Sequence, residues 1–266
     1  MNLKYRIFKL FTAFRFYLSS SENLFYLFYY RHIYRPAKGT LAEFIDDFSR
    51  KHAPVTFLQV GANDGLVSDP LHKFIKRDNW RGVMLEPQPE VFNQYLVKTH
   101  KRRPEITPIN AALDTRDGTS TLYILNVSAE RWATGLSSFN KSVLVDTIKN
   151  GSIAKKAKKR GVKLPANVED MIEGRQIKTI SPDTLLKHFG PEGFKLLAVD
   201  TEGYDFEILK MLDISKVAPQ AIIYEENNFD PKTASDCRQY LTDLGYTCRS
   251  IGRDVVAVKA PAKTLS

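Results

Sequence analysis

Short apolar runs alternate with helix-length polar segments along most of the chain. The first run covers residues 55–60, and the second, residues 82–85, follows after a gap of helix length. Comparable runs recur at residues 106–111, 194–199 and 221–224. Strand-length apolar runs separated by amphipathic helices are typical of a parallel sheet with helices packed against it. The pattern therefore predicts an α/β fold with a mostly parallel sheet.

The segments between these runs carry apolar residues at helical spacing, and Pro and Gly residues mark several of their ends. A β run at residues 120–125 follows the third strand, and two more at residues 246–251 and 255–259 flank Gly252, which predicts a C-terminal hairpin. Helices are predicted at residues 41–52, 69–76, 90–99, 181–189, 206–212 and 234–244.

Two segments depart from this alternation. Residues 126–180 are polar, basic and weakly periodic, and an insertion of this size in an α/β fold most often forms a lid or a substrate loop. Residues 1–40 differ in composition from the remainder and have helical spacing, so they are predicted to form a helical extension. The main domain is therefore predicted over residues 41–266.

The extension is rich in aromatic and basic side chains, and Glu22 is the single acid of residues 1–38. Lys9 and Arg15 interrupt its first part, and the apolar run at residues 24–30 is far shorter than the roughly 20 residues that cross a bilayer. It also lacks the apolar run and cleavage site of a signal peptide. On a helical wheel, one face carries the apolar residues Ile7, Leu10, Phe11, Phe14, Tyr17 and Leu18.

Two interpretations of the extension remain open. It lies in a membrane interface, where aromatic and cationic residues are both favoured, or it forms a hairpin that covers the main domain or a partner subunit. The first predicts a peripheral protein at the inner face of the membrane, with contact through residues 1–38. Two cysteines, Cys237 and Cys248, do not make a disulfide framework, and we interpret them as reduced thiols of a cytoplasmic protein.

The net charge of +9 favours anionic surroundings, such as membrane surfaces, phosphorylated or acidic glycans, or nucleic acid. Part of this charge lies in the basic run at residues 155–160. The alternative interpretation of this run is a solvated helix face or a mobile loop that binds no partner.

The turn after the first predicted strand carries the clearest chemical signal. Gly61, Ala62, Asn63, Asp64 and Gly65 form it, and its glycines let backbone approach a ligand closely. The second strand ends in Glu86, where an acid takes the two hydroxyls of a ribose.

The turn lacks the third glycine of a dinucleotide site and the Lys-Ser/Thr of a phosphate-binding loop. This argues against the alternative of an NAD-dependent oxidoreductase. A cofactor with one nucleoside and no phosphate fits better, and S-adenosylmethionine is the common one.

Five segments together resemble the FkbM family of methyltransferases, namely residues 60–65, 85–87, 110–113, 179–186 and 198–205. The resemblance covers about residues 55–258 and implies a Rossmann-like class I methyltransferase fold that uses S-adenosylmethionine. The family typically methylates hydroxyls on polyketides, sugars or other secondary metabolites. Two positions depart from its usual pattern, Ala198 where the family has Lys and Asp205 where it often has Glu.

The resemblance also implies roles for single residues. Gly61, Asn63, Asp64 and Gly65 would line the methionine side of the cofactor, with Ala62 in the same turn, and Glu86 would hold the ribose. Ala111 or Ala112 would lie beside the adenine.

Two routes to an activated acceptor hydroxyl follow from acids at strand ends. In the first, Asp200, Glu226 and Asn227 bind Mg²⁺, which polarises the hydroxyl. In the second, Asp200 or Glu202 takes the proton directly. A third interpretation is that Asp200 only caps a helix and that Glu225 and Glu226 are surface residues.

The sequence thus predicts an O-methyltransferase that acts on a hydroxyl of a small molecule, a glycan or a lipid-linked sugar. The non-enzymatic alternative is a basic module that binds membranes or nucleic acid, but it leaves the glycine turn unexplained. No nucleic-acid partner is expected, because the chain lacks the Asn/Asp-Pro-Pro-aromatic motif of base methylases. The oligomeric state is left open. His72 is interpreted as structural and His188 as exposed on a helix, and Trp132 either stacks on a sugar or is a buried anchor of the insertion.

Overall fold

The computed structural model describes residues 3–260, and side chains from residue 7 onward except that of Arg131. The predicted outer limits at residues 1 and 266 lie outside the described residues. The strands are β1 Thr56–Val60, β2 Arg81–Leu85, β3 Ile106–Ile109, β4 Ala112–Leu113, β5 Gly118–Leu125, β6 Ser137–Ser138, β7 Ile172–Ile180, β8 Leu196–Val199, β9 Ala221–Glu225, β10 Tyr246–Ile251 and β11 Asp254–Lys259.

Helices flank these strands along the chain, and two of them are extended by π-helical turns at Tyr29–Ile33 and Phe92–Leu96. The helices are α1 Leu3–Ser20, α2 Leu24–Phe28, α3 Leu41–His52, α4 His72–Asp78, α5 Pro89–Val91, α6 Val97–His100, α7 Arg131–Thr134, α8 Lys141–Lys149, α9 Ser152–Arg160, α10 Pro182–Leu186, α11 Asp205–Met211, α12 Ile214–Val217 and α13 Pro231–Asp243.

The central sheet has seven strands in the order β10-β11-β9-β8-β1-β2-β3. Every neighbouring pair is parallel except the two pairs that include β11. The predicted class I methyltransferase fold, with a mostly parallel sheet and a C-terminal hairpin, is therefore confirmed. The strand order changes direction between β1 and β8, and open α/β sheets bind ligands at the carboxyl ends of the strands at such a point.

Alternate side chains of the strands feed two apolar cores, one on each face of the sheet. In β1, Leu58 and Val60 pack into one core and Phe57 into the other. In β9, Tyr224 and Ile223 divide in the same way. Because both faces are covered, the central strands are buried throughout, which explains why they read as continuous apolar runs.

Two predicted boundaries shift for local reasons. The helix expected from residue 69 begins at His72, because the Asp69 carboxylate accepts hydrogen bonds from the amides of Leu71 and His72 and forms a turn before it. The third strand ends at Ile109, and the chain then leaves the central sheet.

A second sheet, in the order β4-β7-β5-β6, takes two of its strands, β6 and β7, from the predicted insertion. The segment at residues 126–180 is more regular than its weak periodicity suggested. It contains α7, α8 and α9, and β5 pairs along its whole length with β7. A small apolar core holds it together, formed by Leu125, Ala133, Ile148, Ile153 and Met171.

The N-terminal helices α1 and α2 form a hairpin that packs on the main domain. At its turn, the Glu22 carboxylate forms ion pairs with Lys76, at 3.1 Å, and with Arg103. The Lys76 ammonium also donates to the carbonyl of Thr99 at 2.7 Å and is fully buried. Burial would raise the pKa of Glu22, but the hydrogen bond from Arg103 and the charge of Lys76 hold it below its usual value.

His72 joins this hairpin to the glycine turn. Its Nδ1 lies 2.7 Å from the carbonyl oxygen of Gly65, which can only accept, so Nδ1 carries the proton. Its Nε2 then accepts from the hydroxyls of Tyr26, at 3.2 Å, and Ser19, at 3.3 Å. Burial lowers the pKa of His72 to about 3, so the ring is neutral at physiological pH.

We expect Glu22→Gln to lower the free energy of unfolding by about 3 kcal/mol at neutral pH, because it leaves the charge of Lys76 buried beside a neutral amide. The pKa of Glu22 is lower when folded, so its contribution is present above its unfolded pKa and is lost as pH falls through the folded value. Urea unfolding at pH 7 and pH 4 measures both effects.

Glu192→Gln, at an exposed glutamate, is the matched control and should leave stability unchanged. Equal unfolding free energies for the two variants would show that the Glu22 ion pairs do not hold the hairpin.

Candidate functional site

A cavity of about 400 Å³ opens at the carboxyl ends of β1, β2 and β8. This volume lies in the range of about 300–1,000 Å³ that holds small ligands. Among the predicted site residues, seven line it, namely Gly61, Asn63, Glu86, Ala111, Ala112, Asp200 and Glu202.

Gly61 allows the ends of β1 and β8 to approach each other. Its φ angle is +84°, and a Cβ atom at this position would lie 1.9 Å from the carbonyl oxygen of Asp200. No side chain fits such a gap, and L-residues rarely adopt this backbone conformation. The glycine therefore brings the turn after β1 beside the acids after β8.

Glu86 is bound to the turn by its own carboxylate. Oε2 accepts from the amide of Asn63 at 2.9 Å, and Oε1 accepts from the amide of Gln88 at 2.8 Å. Asn63 has a φ angle of +49°, a conformation that Asn tolerates better than most residues. Glu86 is only 3% exposed yet lines the cavity, so the same side chain shapes the turn and presents a negative charge to a ligand.

Three predicted cofactor residues have other positions. Ala62 lies in an apolar core, and the Asp64 carboxylate accepts from the amides of Leu66 and Val67. A Cβ atom on Gly65 would lie 2.8 Å from Leu96, so this glycine serves close packing. These three residues do not line the main cavity, because the turn curls back toward the helices behind it.

One wall of the cavity is apolar. Ala111 lies between β3 and β4, Ala112 begins β4 of the second sheet, and both are buried. Leu85, Leu113 and Leu122 extend the same wall. An apolar lining of this kind suits an aromatic ring system.

Three acids converge near the ends of β8 and β9, and two of them, Asp200 and Glu202, line the cavity. Carboxylate oxygens of Asp200, Glu202 and Glu225 all lie within 4.8 Å of one another. The strand register explains the meeting of two of them: Val199 of β8 pairs with Tyr224 of β9, and Asp200 and Glu225 are the next residues of these parallel strands.

The structure therefore groups Asp200 with Glu202 and Glu225, and not with Glu226 and Asn227 of the predicted metal set. Glu226 forms a two-pronged ion pair with Arg238 of α13, at 2.7 and 2.8 Å. Asn227 is exposed and is not among the cavity residues. Successive residues of an extended chain point to opposite sides, so Glu225 and Glu226 cannot both face Asp200.

Burial and the neighbouring negative charges raise the pKa values of two of these acids, Glu202 and Glu225. Burial, together with the charges of Asp200 and Glu225, raises the pKa of Glu202 to about 8, although Asn228 donates to its carboxylate at 3.2 Å. Burial and Asp200 raise the pKa of Glu225 to about 7, opposed by Arg253, which lies 3.3 Å away. Glu202 also has a φ angle of +53°, a strained conformation that recurs at functional sites.

Asp205 holds this group of acids in place and does not itself line the cavity. Its carboxylate accepts from the amide and hydroxyl of Thr201, at 3.1 and 2.7 Å, and from the amide of Glu225 at 3.0 Å. Fully buried, it joins the segment after β8 to the end of β9.

The insertion contributes two cationic side chains to the lining of the cavity. Lys156 and Arg160 lie one turn apart on α9 and both line it, whereas Lys155, Lys158 and Lys159 are exposed. The Arg160 guanidinium lies over the ring of Trp132, 5.4 Å from its centroid, and Trp132 also lines the cavity.

Sequence reasoning missed several of these neighbours. Arg253 lies in the turn of the C-terminal hairpin, and Phe8 reaches the cavity from α1. Gln88 donates to the carbonyl of Thr134 at 2.7 Å and so joins β2 to the insertion. These residues come from distant parts of the chain, and no local motif marks them.

The model of the methyltransferase FkbM domain matches residues 59–248. No curated protein matches the chain. Among solved structures, methyltransferase FkbM from Methylobacillus flagellatus KT is similar at 13% identity, over 90% of this chain and 54% of that one, with a TM-score of 0.45.

Two further solved structures are similar. The METTL16 methyltransferase domain has 11% identity over 82% of this chain and 66% of its own, with a TM-score of 0.42. The O-methyltransferase from Bacillus cereus in complex with SAH has 9% identity over 91% and 90%, with a TM-score of 0.40. This chain therefore spans 54% of the length of the Methylobacillus structure and 66% of the length of the METTL16 domain.

We expect Asp200→Asn to lower the pKa of Glu202, because it removes a like charge from the cluster. Carboxyl ¹³C chemical shifts followed across a pH titration measure the change. Asp47→Asn, at an exposed position of α3, should leave the Glu202 titration where it is. An unchanged titration in Asp200→Asn would mean that the two carboxylates do not interact.

Proposed function

This chain belongs to the FkbM family of methyltransferases, and we propose that it methylates a hydroxyl of a sugar or glycan with S-adenosylmethionine as donor. The observation that carries the proposal is the pairing of two features on one cavity. A glycine turn and Glu86 line it, and so does Glu202, a carboxylate whose pKa is raised to about 8.

The cavity walls suit the parts of this cofactor. Ala111 and Ala112 would border the adenine, and Glu86, which also accepts from the amides of Asn63 and Gln88, would accept from the ribose hydroxyls. Backbone near Gly61 would border the methionine portion. S-adenosylmethionine supplies a methyl group on a positively charged sulfonium, and the nearby acids complement that charge.

Glu202 is the proposed general base. A hydroxyl is a poor nucleophile until it loses its proton, and a base is most effective when its pKa lies near the working pH. The acceptor oxygen forms a bond to the methyl carbon, the carbon–sulfur bond breaks with its electron pair left on sulfur, and the hydroxyl proton passes to the Glu202 carboxylate. Burial, together with the charges of Asp200 and Glu225, keeps the pKa of Glu202 high enough to hold this proton.

The insertion supplies the features of an acceptor site. Trp132 offers an aromatic face for a sugar ring. Lys156 and Arg160 face the cavity from α9 and would bind an anionic group on the acceptor, such as a phosphate or a carboxylate. The acceptor we propose is therefore a phosphorylated or acidic sugar.

A divalent cation at the same acids is the alternative route. Oxygens of Asp200, Glu202 and Glu225 are spaced closely enough to share one ion, and Mg²⁺ prefers oxygen ligands. The cation would polarise the acceptor hydroxyl and would compete with the protons that the raised pKa values favour.

We expect the protein to bind S-adenosylmethionine and not NAD⁺ in calorimetric titrations. Glu86→Gln should weaken S-adenosylmethionine about tenfold or more, because a charged hydrogen bond is lost and an amide NH₂ meets backbone N–H groups. Glu90→Gln, at an exposed glutamate four residues later, should bind normally. Binding of NAD⁺ alone would overturn the proposed function.

We expect kcat/KM for methyl transfer to rise with pH and to level off above about 8, where free Glu202 is ionised. Glu202→Gln should lower kcat by about 10²–10⁴-fold and remove this rise. Methyl transfer to sugar phosphates and uronic acids, followed by mass spectrometry, supplies the assay.

Glu207→Gln, at an ion-paired glutamate of α11, is the control and should keep the wild-type profile. Activity that is lost with EDTA and restored by Mg²⁺ would replace the base with the metal route. Full activity in Glu202→Gln without metal would contradict both routes.

A further inference from the structure

The N-terminal hairpin exposes its apolar side. Eleven of the fourteen large apolar side chains that are exposed in the described part of the chain lie at positions 7–33. On α1 they recur at helical spacing, which is the stripe that a surface helix normally turns toward a core. The exposed set in the hairpin consists of Ile7, Phe8, Leu10, Phe11, Phe14, Tyr17, Leu24, Phe25, Phe28, Tyr29 and Ile33.

The degree of exposure is high for such side chains. Leu10 is 72% exposed, Leu24 81% and Phe25 84%. Monomeric soluble proteins rarely expose contiguous apolar surface of this kind, and patches of it mark contacts with membranes or other proteins. We call this set the aromatic face of the hairpin.

This face is exposed although the hairpin is firmly attached to the main domain. Its opposite side is bound to the main domain by the buried ion pairs of Glu22 and by the hydrogen bonds from Tyr26 and Ser19 to His72. Phe16 also packs edge-on against Tyr95, with ring centroids 5.7 Å apart. The aromatic face therefore points outward in a folded and anchored element.

Charge distinguishes two candidate partners of this face, a second copy of the chain and an anionic lipid surface. Cationic side chains accompany it at Lys9, Arg31, Arg35 and Lys38, all exposed. The single acid of this segment, Glu22, is already engaged in the ion pairs with Lys76 and Arg103. A second copy of the chain would therefore oppose cations to cations, whereas an anionic lipid surface complements them.

The composition also matches the chemistry of a lipid headgroup region. Phe and Tyr rings are favoured at the boundary between headgroups and acyl chains, and Lys and Arg bind anionic headgroups. Within residues 3–260, no helix is long and apolar enough to cross a bilayer. A hairpin lying in the plane of the interface satisfies all three observations.

The aromatic face borders the mouth of the cavity. Phe8 belongs to the face and also lines the cavity. Its neighbour Lys9 forms an ion pair of 2.9 Å with Glu130, which lies in the insertion and lines the same cavity. A surface that receives the hairpin would thus lie beside the entrance to the site.

We infer that the aromatic face of the hairpin docks this protein onto an anionic lipid bilayer, with the cavity mouth at the bilayer surface. Docking itself does not depend on the proposed function. The consequence that the acceptor is carried by a lipid does rest on it, and extends the proposed acidic or phosphorylated sugar to one attached to a membrane anchor.

Co-sedimentation with vesicles tests docking without any assay of activity. The full chain should bind vesicles of phosphatidylcholine with phosphatidylglycerol far better than vesicles of phosphatidylcholine alone, and high salt should weaken binding. Phe11→Ser combined with Phe25→Ser should lower the partition coefficient at least about tenfold, because each side chain loses its buried apolar area. Val258→Ser, at an exposed apolar position of β11, should bind as the wild type does.

The electrostatic part has its own variants. Arg31→Glu combined with Lys38→Glu should reduce binding to the anionic vesicles by about fivefold or more per residue. Lys216→Glu, on the exposed surface of α12, is the control at a site away from the face. It changes the net charge by half as much as the double variant does and should have little effect on binding. Equal losses per charge at both sites would attribute binding to net charge and overturn the docking face.

A spectroscopic variant reports the depth of insertion. Phe25→Trp should show a blue-shifted emission with anionic vesicles and quenching by brominated acyl chains, measured as the difference from wild type. Val258→Trp should show neither. Failure of the wild type to bind anionic vesicles overturns the inference, as does a stable dimer in sedimentation velocity that Phe11→Ser with Phe25→Ser converts to monomer. Neither outcome bears on cofactor binding, which the calorimetric titrations measure separately.

Discussion

The close contact between the ends of β1 and β8 is the constraint on which the site depends. Gly61 meets the carbonyl of Asp200 with no room for a Cβ atom. This contact sets the glycine turn and Glu86 against the acids that follow β8. A larger residue at position 61 would push these two strand ends apart, and the cavity between them would lose its shape.

The second constraint is electrostatic. Asp200, Glu202 and Glu225 are held together although their charges repel, and the positive charge of Arg253 offsets only part of the cost. The backbone keeps them there, because Asp205 fixes both segments through the amides of Thr201 and Glu225. A site that resists full ionisation is suited to accept a proton, and it gains stability when a cation binds. Both properties agree with transfer from a positively charged donor.

The N-terminal hairpin connects the glycine turn, the cavity and the outer surface. His72 bonds at once to the carbonyl of Gly65 and to the hydroxyls of the hairpin, so displacement of the hairpin would disturb the turn. Phe8 lines the cavity, and Lys9 of the same helix forms an ion pair with Glu130, which also lines it. An element that contacts a surface on one side and the site on the other can place that site next to a substrate held at the surface.

The sequence by itself determined the fold class, the positions of the central strands along the chain, and the glycine turn with Glu86. These features are local patterns of spacing and residue type. It also marked the apolar stripe of α1, but not that the stripe faces outward. Strand register decided that Glu225 rather than Glu226 meets Asp200, and the curl of the turn moved Asp64 and Gly65 away from the cavity. Only the tertiary structure brought Lys156, Arg160, Arg253 and Phe8 to one cavity. Contacts between residues far apart in the chain depend on packing and register, which leave no trace in local spacing.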